Sequence, residues 1–411
     1  LFLVLIFEGG IYLFVFFLMK KGNKWFKENE WLYQWLVWCS FEYLRSVGFF
    51  GFNYGIIGYS QWSCPVVLQF AEIAGVWGIN LIVSFPSFFI GKLVNSFFSK
   101  KAVVNKINVI SASSWCIVFV FVILFGSIKL NKSNPPEKTL KTAVIQTNEN
   151  HRLTSVPNQR LRFNSYKKII NDIIEEDPNI ELIVLPESAI LSRVTFREDE
   201  AYTEEEYLLA RDYVDFFNTL DVPVLYGGAE LEFRERKEGK LFFNQYNVAY
   251  LINTSEKKDP PVPQIYRKNH LVPLFENYPF KKLFPFFYEK VVKKIGTDFK
   301  PGKQINLLEV KDIKAGTPIC FEDMFDNIPR KMTEKGADIF ISIANDSWSK
   351  SKLCQYEHLA ISTFRAVENR RPLIRSSVSG QSVYLDEKGQ IKKMLEPFMK
   401  DYFFILLLIT Y

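Results

Sequence analysis

Histidine is scarce in this chain: His151, His270 and His358 are the only three among 411 residues, and they lie far apart in sequence. With so few imidazoles and no cysteine–histidine cluster, a metal centre is not expected. The five cysteines, Cys39, Cys64, Cys116, Cys320 and Cys354, are odd in number, and none stands in a CxxC pair. Neither a disulfide framework nor a zinc site is therefore indicated. Charge of one sign is also lacking, because 51 Lys and Arg against 45 Asp and Glu leave a formal net charge of only +6. The basic residues form no stripe, which excludes a nucleic-acid surface. No Met opens the chain, which begins at Leu1 inside an apolar run and reads as a fragment without a legible signal peptide.

What the sequence has in abundance is apolar length, unevenly placed. Four runs, 1–19, 31–47, 66–90 and 107–128, crowd the first 130 residues, with Glu8, Glu42 and Glu72 as their few acidic interruptions. Each approaches bilayer length, and together they leave too little polar surface for a soluble shell. Lys20, Lys21, Lys24 and Lys27 lie between the first two runs, and Lys92, Lys100, Lys101 and Lys106 between the last two. Residues 48–63 carry no Lys or Arg. The positive-inside tendency makes the lysine-rich loops cytoplasmic and puts everything after about Lys129 on the other side. Glu42 and Arg45 share a helical face and can pair. Residues 48–55, rich in Gly and aromatics, form either an aromatic belt or a lipid entry path.

Residues 131–139, with Pro135-Pro136, read as a linker between a helix bundle over 1–130 and a domain over 140–411. Strands are expected at 140–146, 182–185 and 222–226, the last closed by Gly227-Gly228, with a hairpin over 229–253 turning near 237–239. Two strands fall within 305–320, others at 339–344 and 373–377, and a second hairpin at 383–394. Helices are expected at 158–176, with Leu161, Ile169, Ile170, Ile173 and Ile174 on one face, and at 204–220. Interleaved strands and helices indicate an α/β layered domain. The apolar tail 402–411 is too short to cross a bilayer, so it reads as a last strand or the start of a further span.

Three segments of this second domain carry chemistry. Cys320 ends an apolar run and is followed at once by Phe321-Glu322-Asp323; a buried cysteine is ordinarily a small hydrophobe, but at a strand end its sulfur can be aimed as a nucleophile. Cys354, in a polar stretch with no strand to position it, is the rival thiol. Glu187, at the end of the strand 182–185, is a base if burial raises its pKa and a solvated loop carboxylate if not. Lys268 can face a thiolate or an oxyanion, although lone lysines are mostly surface.

Order and context connect the three. Pro186-Glu187-Ser188, then Lys268-Asn269-His270-Leu271-Val272-Pro273, then Ile319-Cys320-Phe321-Glu322 resemble the Glu-Lys-Cys motifs of the nitrilase, or carbon–nitrogen hydrolase, superfamily. Glu42-Tyr43-Leu44-Arg45, Gly58-Tyr59-Ser60-Gln61, Asn345-Asp346-Ser347-Trp348, Arg365-Ala366-Val367-Glu368 and Arg371-Pro372-Leu373-Ile374-Arg375 extend the resemblance to its membrane-embedded apolipoprotein N-acyltransferase family. Ser349-Lys350 departs from that pattern, where the family has an aromatic and a glycine. The resemblance implies a nitrilase-like αββα sandwich attached to a polytopic transmembrane helix bundle in the bacterial cytoplasmic membrane, with the catalytic domain outside and a C-terminal span missing from this chain. It implies Cys320 as nucleophile, Glu187 as base, Lys268 as oxyanion partner, and Glu276, Glu322 and Phe321 as active-site support. Asn247, Asn345 and Trp348 are implied around the substrate pocket, with no cofactor and no metal. The implied partners are a phospholipid acyl donor and a diacylated apolipoprotein acceptor, handled by a monomer. Residues 275–288, with Phe275, Tyr278, Phe280, Phe284, Phe286, Phe287 and Tyr288 among Lys281 and Lys282, read either as an aromatic lid or as core. Two other readings remain open at this point: a membrane-tethered amidase that resolves its thioester with water, and a non-catalytic relative.

Overall fold

The computed structural model describes residues 2–99, 105–132, 135–149, 154–190, 203–237, 240–253, 262–278, 280–292 and 297–409. Lys100, Lys101, His151, the hairpin residues Glu238 and Gly239, and the last two residues of the tail lie outside them. The chain divides into two compact units, Leu1–Ser133 and Asn134–Tyr411.

The first unit is built from four long helices, α1 (Phe2–Phe26), α2 (Glu30–Ser46), α3 (Ala71–Phe98) and α4 (Lys106–Asn131). Among the described residues, α3 and α4 are long and apolar enough to cross a membrane, with mean hydropathies of 1.8 and 2.4 over their best windows. The run expected from Val66 does not form one helix. Pro65–Leu68 makes a separate short turn, and Gly75, at φ 59°, interrupts the helical backbone of α3 near its start. Polar side chains tie the helices together: Trp31 Nε1 donates to Asn108 Oδ1 at 3.2 Å and Trp35 Nε1 to Ser84 Oγ at 3.0 Å. Such bonds give polar side chains between the helices the partners that burial demands. Glu42 and Arg45 do not pair with each other. Arg45 donates to the carbonyls of Phe52 and Tyr54, at 3.1 and 2.9 Å, while Glu42 accepts from Asn80 Nδ2 at 2.6 Å and from the Ile57 N–H at 3.3 Å. Both charges fasten the loop 48–63 through its backbone groups.

In the second unit two six-stranded sheets lie face to face. One has the order β12-β1-β2-β3-β4-β5 and the other β11-β10-β9-β8-β7-β6. The first comprises β1 (Lys138–Gln146), β2 (Leu182–Val184), β3 (Val224–Lys237), β4 (Lys240–Ile252), β5 (Gln264–Arg267) and β12 (Asp401–Ile409). The second comprises β6 (Leu308–Val310), β7 (Ile313–Gly316), β8 (Ile339–Ala344), β9 (Leu373–Ser377), β10 (Val383–Leu385) and β11 (Ile391–Met394). Ser376 of β9 donates through Oγ to the Ile145 carbonyl of β1 at 2.7 Å, across the two layers. Helices α5 (Val156–Glu176) and α6 (Glu204–Thr219) cover the first sheet, and α7 (Asn327–Glu334) and α8 (Lys352–Asn369) the second. The apolar tail is a strand: β12 pairs antiparallel along the whole of β1.

Two expectations are corrected by packing. The buried face of α5 is Phe163, Tyr166, Ile170 and Ile173, with Ile169 and Ile174 packed against the same core as expected, whereas Leu161 is 68 % exposed. Its 3-4-3 spacing holds the stripe on one side of the helix, and large aromatics fill it. Gly227-Gly228 closes no strand either, because β3 runs straight through it. Glycine stands there for close approach, since a Cβ on Gly227 would lie 2.5 Å from Glu187 Cα. Gly227→Ala is accordingly expected to displace the Glu187 backbone and cost about 1–3 kcal/mol in denaturant unfolding, the usual range for overpacking; an unchanged midpoint would refute this contact.

Candidate active site

The two sheets place their site residues at strand ends. Glu187 follows β2, Lys268 follows β5 directly, Asn345 follows β8, and Cys320 opens the single-turn helix Cys320–Met324 that follows β7. Parallel pairing of β2 with β3, then antiparallel pairing of β3 with β4 and of β4 with β5, points the ends bearing Glu187 and Lys268 the same way, and parallel pairing of β7 with β8 does so in the second sheet. Cys320 has φ of +51°, in the left-handed region that costs a non-glycine residue free energy, so surrounding bonds must hold it.

Those bonds come from Glu322. Fully buried, it accepts from the Ile319 N–H at 2.9 Å, the Asn269 N–H at 2.6 Å, the His270 N–H at 3.0 Å and the Tyr266 hydroxyl at 2.9 Å. One carboxylate thus binds the nucleophile's turn to the backbone just after Lys268. Burial lifts its pKa to about 7, against the lowering effect of these donors and of Lys268. Phe321 lies edge-on to Phe325 at 5.0 Å between ring centroids, and His270 stacks on Phe325 at 3.9 Å. Burial and the nearby Lys268 ammonium hold His270 neutral, with a pKa of about 4.

Lys268 is 1 % exposed, with its ammonium 3.5 Å from Glu187 Oε1 and 2.9 Å from Glu276 Oε2. Asn247 of β4 donates through Nδ2 to both carboxylates, each at 2.8 Å, and its carbonyl accepts the Lys268 N–H at 2.9 Å. Glu276 is oriented in turn by the Val272 N–H, at 2.7 Å. Burial works against the lysine's charge, but Glu276, Glu187 and Cys320 outweigh it and keep the ammonium charged. The Cys320 thiol hydrogen-bonds Glu187. Burial, then the Glu187 charge, raise the thiol well above its ordinary pKa, opposed by Lys268 and by a hydrogen bond from the Asn345 N–H. Burial likewise raises Glu187, with Lys268 opposing and Glu276 reinforcing. A protonated thiol therefore rests against a carboxylate of elevated basicity, beside an ammonium and a backbone N–H.

Glu187, Lys268, Cys320, Glu276, Asn247, Glu322 and Phe321 are gathered here. Asn345 contributes its backbone N–H; its side chain instead accepts from the Ser347 hydroxyl at 2.7 Å. Trp348 is 56 % exposed and takes no part in these bonds. Cys354, the rival thiol, is only half-buried. Sequence reasoning did not single out Tyr266, or the buried group Asp323, His358 and Arg375; a tyrosine in a strand and a single histidine on a helix carry no spacing signal.

A carbon–nitrogen hydrolase family model matches residues 141–404, and a model of the apolipoprotein N-acyltransferase N-terminal domain matches residues 1–89. Apolipoprotein N-acyltransferase 1 of Treponema denticola is 36 % identical over 402 residues, covering 95 % of this chain and 73 % of the relative. Its namesake in Treponema pallidum is 33 % identical, with 92 % and 71 % covered. Among solved structures, the nitrilase-superfamily protein Nit3 of Saccharomyces cerevisiae is similar at a TM-score of 0.46 and 18 % identity, covering 68 % of this chain and 93 % of that one. With both its sandwich domain and its helical N-terminal region matched, the chain belongs to the apolipoprotein N-acyltransferase family of the carbon–nitrogen hydrolases.

Proposed function

We propose that Cys320 carries a fatty acyl chain from a membrane phospholipid to the amino terminus of a lipoprotein, with Glu187 moving the protons and Lys268 bearing the developing charge. The chain is an acyltransferase of lipoprotein maturation. Support for the residue roles is one observation: a thiol bonded to a buried carboxylate, with a buried ammonium 3.5 Å from that carboxylate.

In the first half-reaction Glu187 takes the Cys320 proton as Sγ attacks the ester carbonyl carbon of the phospholipid. The carbonyl oxygen becomes an oxyanion facing the Lys268 ammonium. As the C–O ester bond breaks, the Glu187 proton passes to the departing lysophospholipid oxygen, leaving a thioester on Cys320. In the second, the α-amino group of a diacylglyceryl-cysteine attacks the thioester; Glu187 accepts an N–H proton and returns it to Sγ as the C–S bond breaks. Atoms and charge balance without a cofactor. Glu276 and Asn247 act through the other groups, holding Lys268 and Glu187 in register.

We further read 1–130 as a multi-pass bundle, with α1 and α2 as spans beside α3 and α4, 131–139 as a linker, and 140–411 as a domain on the extracytoplasmic side, active as a monomer. The loop charges support that orientation. Residues 275–288 support a membrane-facing role through the exposed Phe275, Leu283, Phe284 and Phe286.

Supplied with phospholipid and a synthetic diacylated lipopeptide, the protein is expected to add one acyl chain to the lipopeptide amine, seen as a mass gain. Release of free fatty acid with no lipopeptide gain would instead make it a hydrolase. Glu187→Gln should lower the rate about 10²- to 10⁴-fold, the range for a general base, without changing the unfolding midpoint upward or downward by more than a few degrees. Lys268→Met should lower both rate and stability, the latter by about 3–5 kcal/mol, because Glu187 and Glu276 are left buried without their counter-charge. The double variant Lys268→Met/Glu276→Gln should recover part of that stability in calorimetry but none of the rate; equal melting of single and double variants would contradict the charge argument.

A further inference from the structure

A second buried ionic cluster lies directly behind the nucleophile, and the mechanism above does not use it. His358 of α8 is 2 % exposed, with Nε2 2.7 Å from Asp323 Oδ1 and Nδ1 2.9 Å from Asp346 Oδ1. Arg375 of β9 donates through Nη2 to Asp346 Oδ2 at 2.9 Å, and its Nε lies 3.9 Å from Asp323 Oδ2. Hydroxyls complete the carboxylates: Ser342 and Ser362 donate to Asp323 Oδ2 at 2.9 and 3.0 Å, and Ser377 donates to Asp346 Oδ2 at 2.9 Å. Arg375 Nη2 also lies 2.8 Å from His358 Nδ1.

The placement of the two aspartates gives the cluster its meaning. Asp323 belongs to the same short turn as Cys320, and Asp346 is the residue after Asn345, whose N–H bonds the Cys320 sulfur. His358 therefore spans the two backbone segments that meet at Sγ. Resting on the assignment of Cys320 as nucleophile, we propose that His358, as a buried imidazolium bridging Asp323 and Asp346, is a positioning residue that keeps the Asn345 N–H against Cys320 Sγ. Charge counting supports the imidazolium: two aspartates facing only Arg375 would leave one buried negative charge uncompensated, and a protonated His358 cancels it. Burial and Arg375 both press His358 toward neutrality, but Asp323 and Asp346 prevail and raise it to about 9. A raised pKa of this kind contributes stability that is whole below the unfolded value near 6.5 and is lost as pH rises through about 9. Asp323, Asp346 and Arg375 are the charged groups that face the ring in this cluster, and the two aspartates, both lowered by His358 and Arg375 against the effect of burial, stay ionised throughout that window.

The test is the rate at which Cys320 is acylated when the full chain is mixed with phosphatidylethanolamine vesicles without acceptor, read by quenched-flow mass spectrometry beside thermal unfolding from pH 6 to 10. His358→Gln, which keeps a hydrogen-bonding amide but no charge, should acylate about 10- to 100-fold more slowly, as expected for a misplaced reacting group. His358→Gln/Asp346→Asn restores the buried charge balance; it should regain stability, lose the wild type's fall in melting temperature above about pH 9, and still acylate slowly. Should the single variant fail to fold, the double variant carries the test. Wild-type acylation rates in either variant, or a rate that recovers together with stability in the double variant, would overturn the positioning role while leaving Cys320 as nucleophile. A wild-type chain that forms no adduct would overturn the nucleophile assignment and this proposal with it.

Discussion

The ammonium of Lys268, buried at 1 % exposure, sets the conditions for everything around it. An isolated cation in a protein interior costs several kcal/mol of desolvation, so it persists only where opposite charge and hydrogen bonds are built to meet it. Here two carboxylates from different loops converge on it, Asn247 links them, and the backbone of Lys268 is pinned on both sides by Asn247 and Gly302, the latter donating to the Lys268 carbonyl at 2.7 Å. Burial raises the pKa of Glu187 next to the Cys320 thiol, and the Lys268 cation opposes that rise. Base, charge stabiliser and nucleophile are in this sense one electrostatic unit.

Around that unit the fold supplies rigidity by joining segments that are distant in sequence. Glu322 ties the turn of Cys320 to the strand end that bears Lys268, across the meeting edge of the two sheets. Gly227 lets β3 pass close behind Glu187, and the left-handed backbone of Ser188, φ +56°, turns the chain away at once. His358 and Arg375 close the far side. The site needs both sheets, since Glu187, Asn247 and Lys268 come from the first and Cys320 and Asn345 from the second.

Much of this was legible in the sequence, and the exceptions share a cause. The expected strands 339–344 and 373–377 match β8 and β9 to the residue; β8 is a nearly continuous apolar run, buried along its whole length. Glu187, Lys268 and Cys320 are each ambiguous alone; what singles them out is the order of their three motifs and the family resemblance it carries. Local pattern is silent about who lies across the core. It therefore ends a strand at Gly227-Gly228 where the glycines make room for Glu187, and pairs Glu42 with Arg45 where each bonds a loop instead. His358 was invisible for the same reason: its partners come from a turn, a loop and another strand, and no spacing along α8 announces them.

The account stands on Cys320 as the atom that carries the acyl chain. Its most direct test is the mass of the peptide containing Cys320 after the purified protein has met phospholipid in the absence of any acceptor amine. The account predicts a gain equal to one fatty acyl group, removed by hydroxylamine and absent in Cys320→Ser. An unmodified Cys320 peptide, or an acyl group found on Cys354 instead, would contradict it.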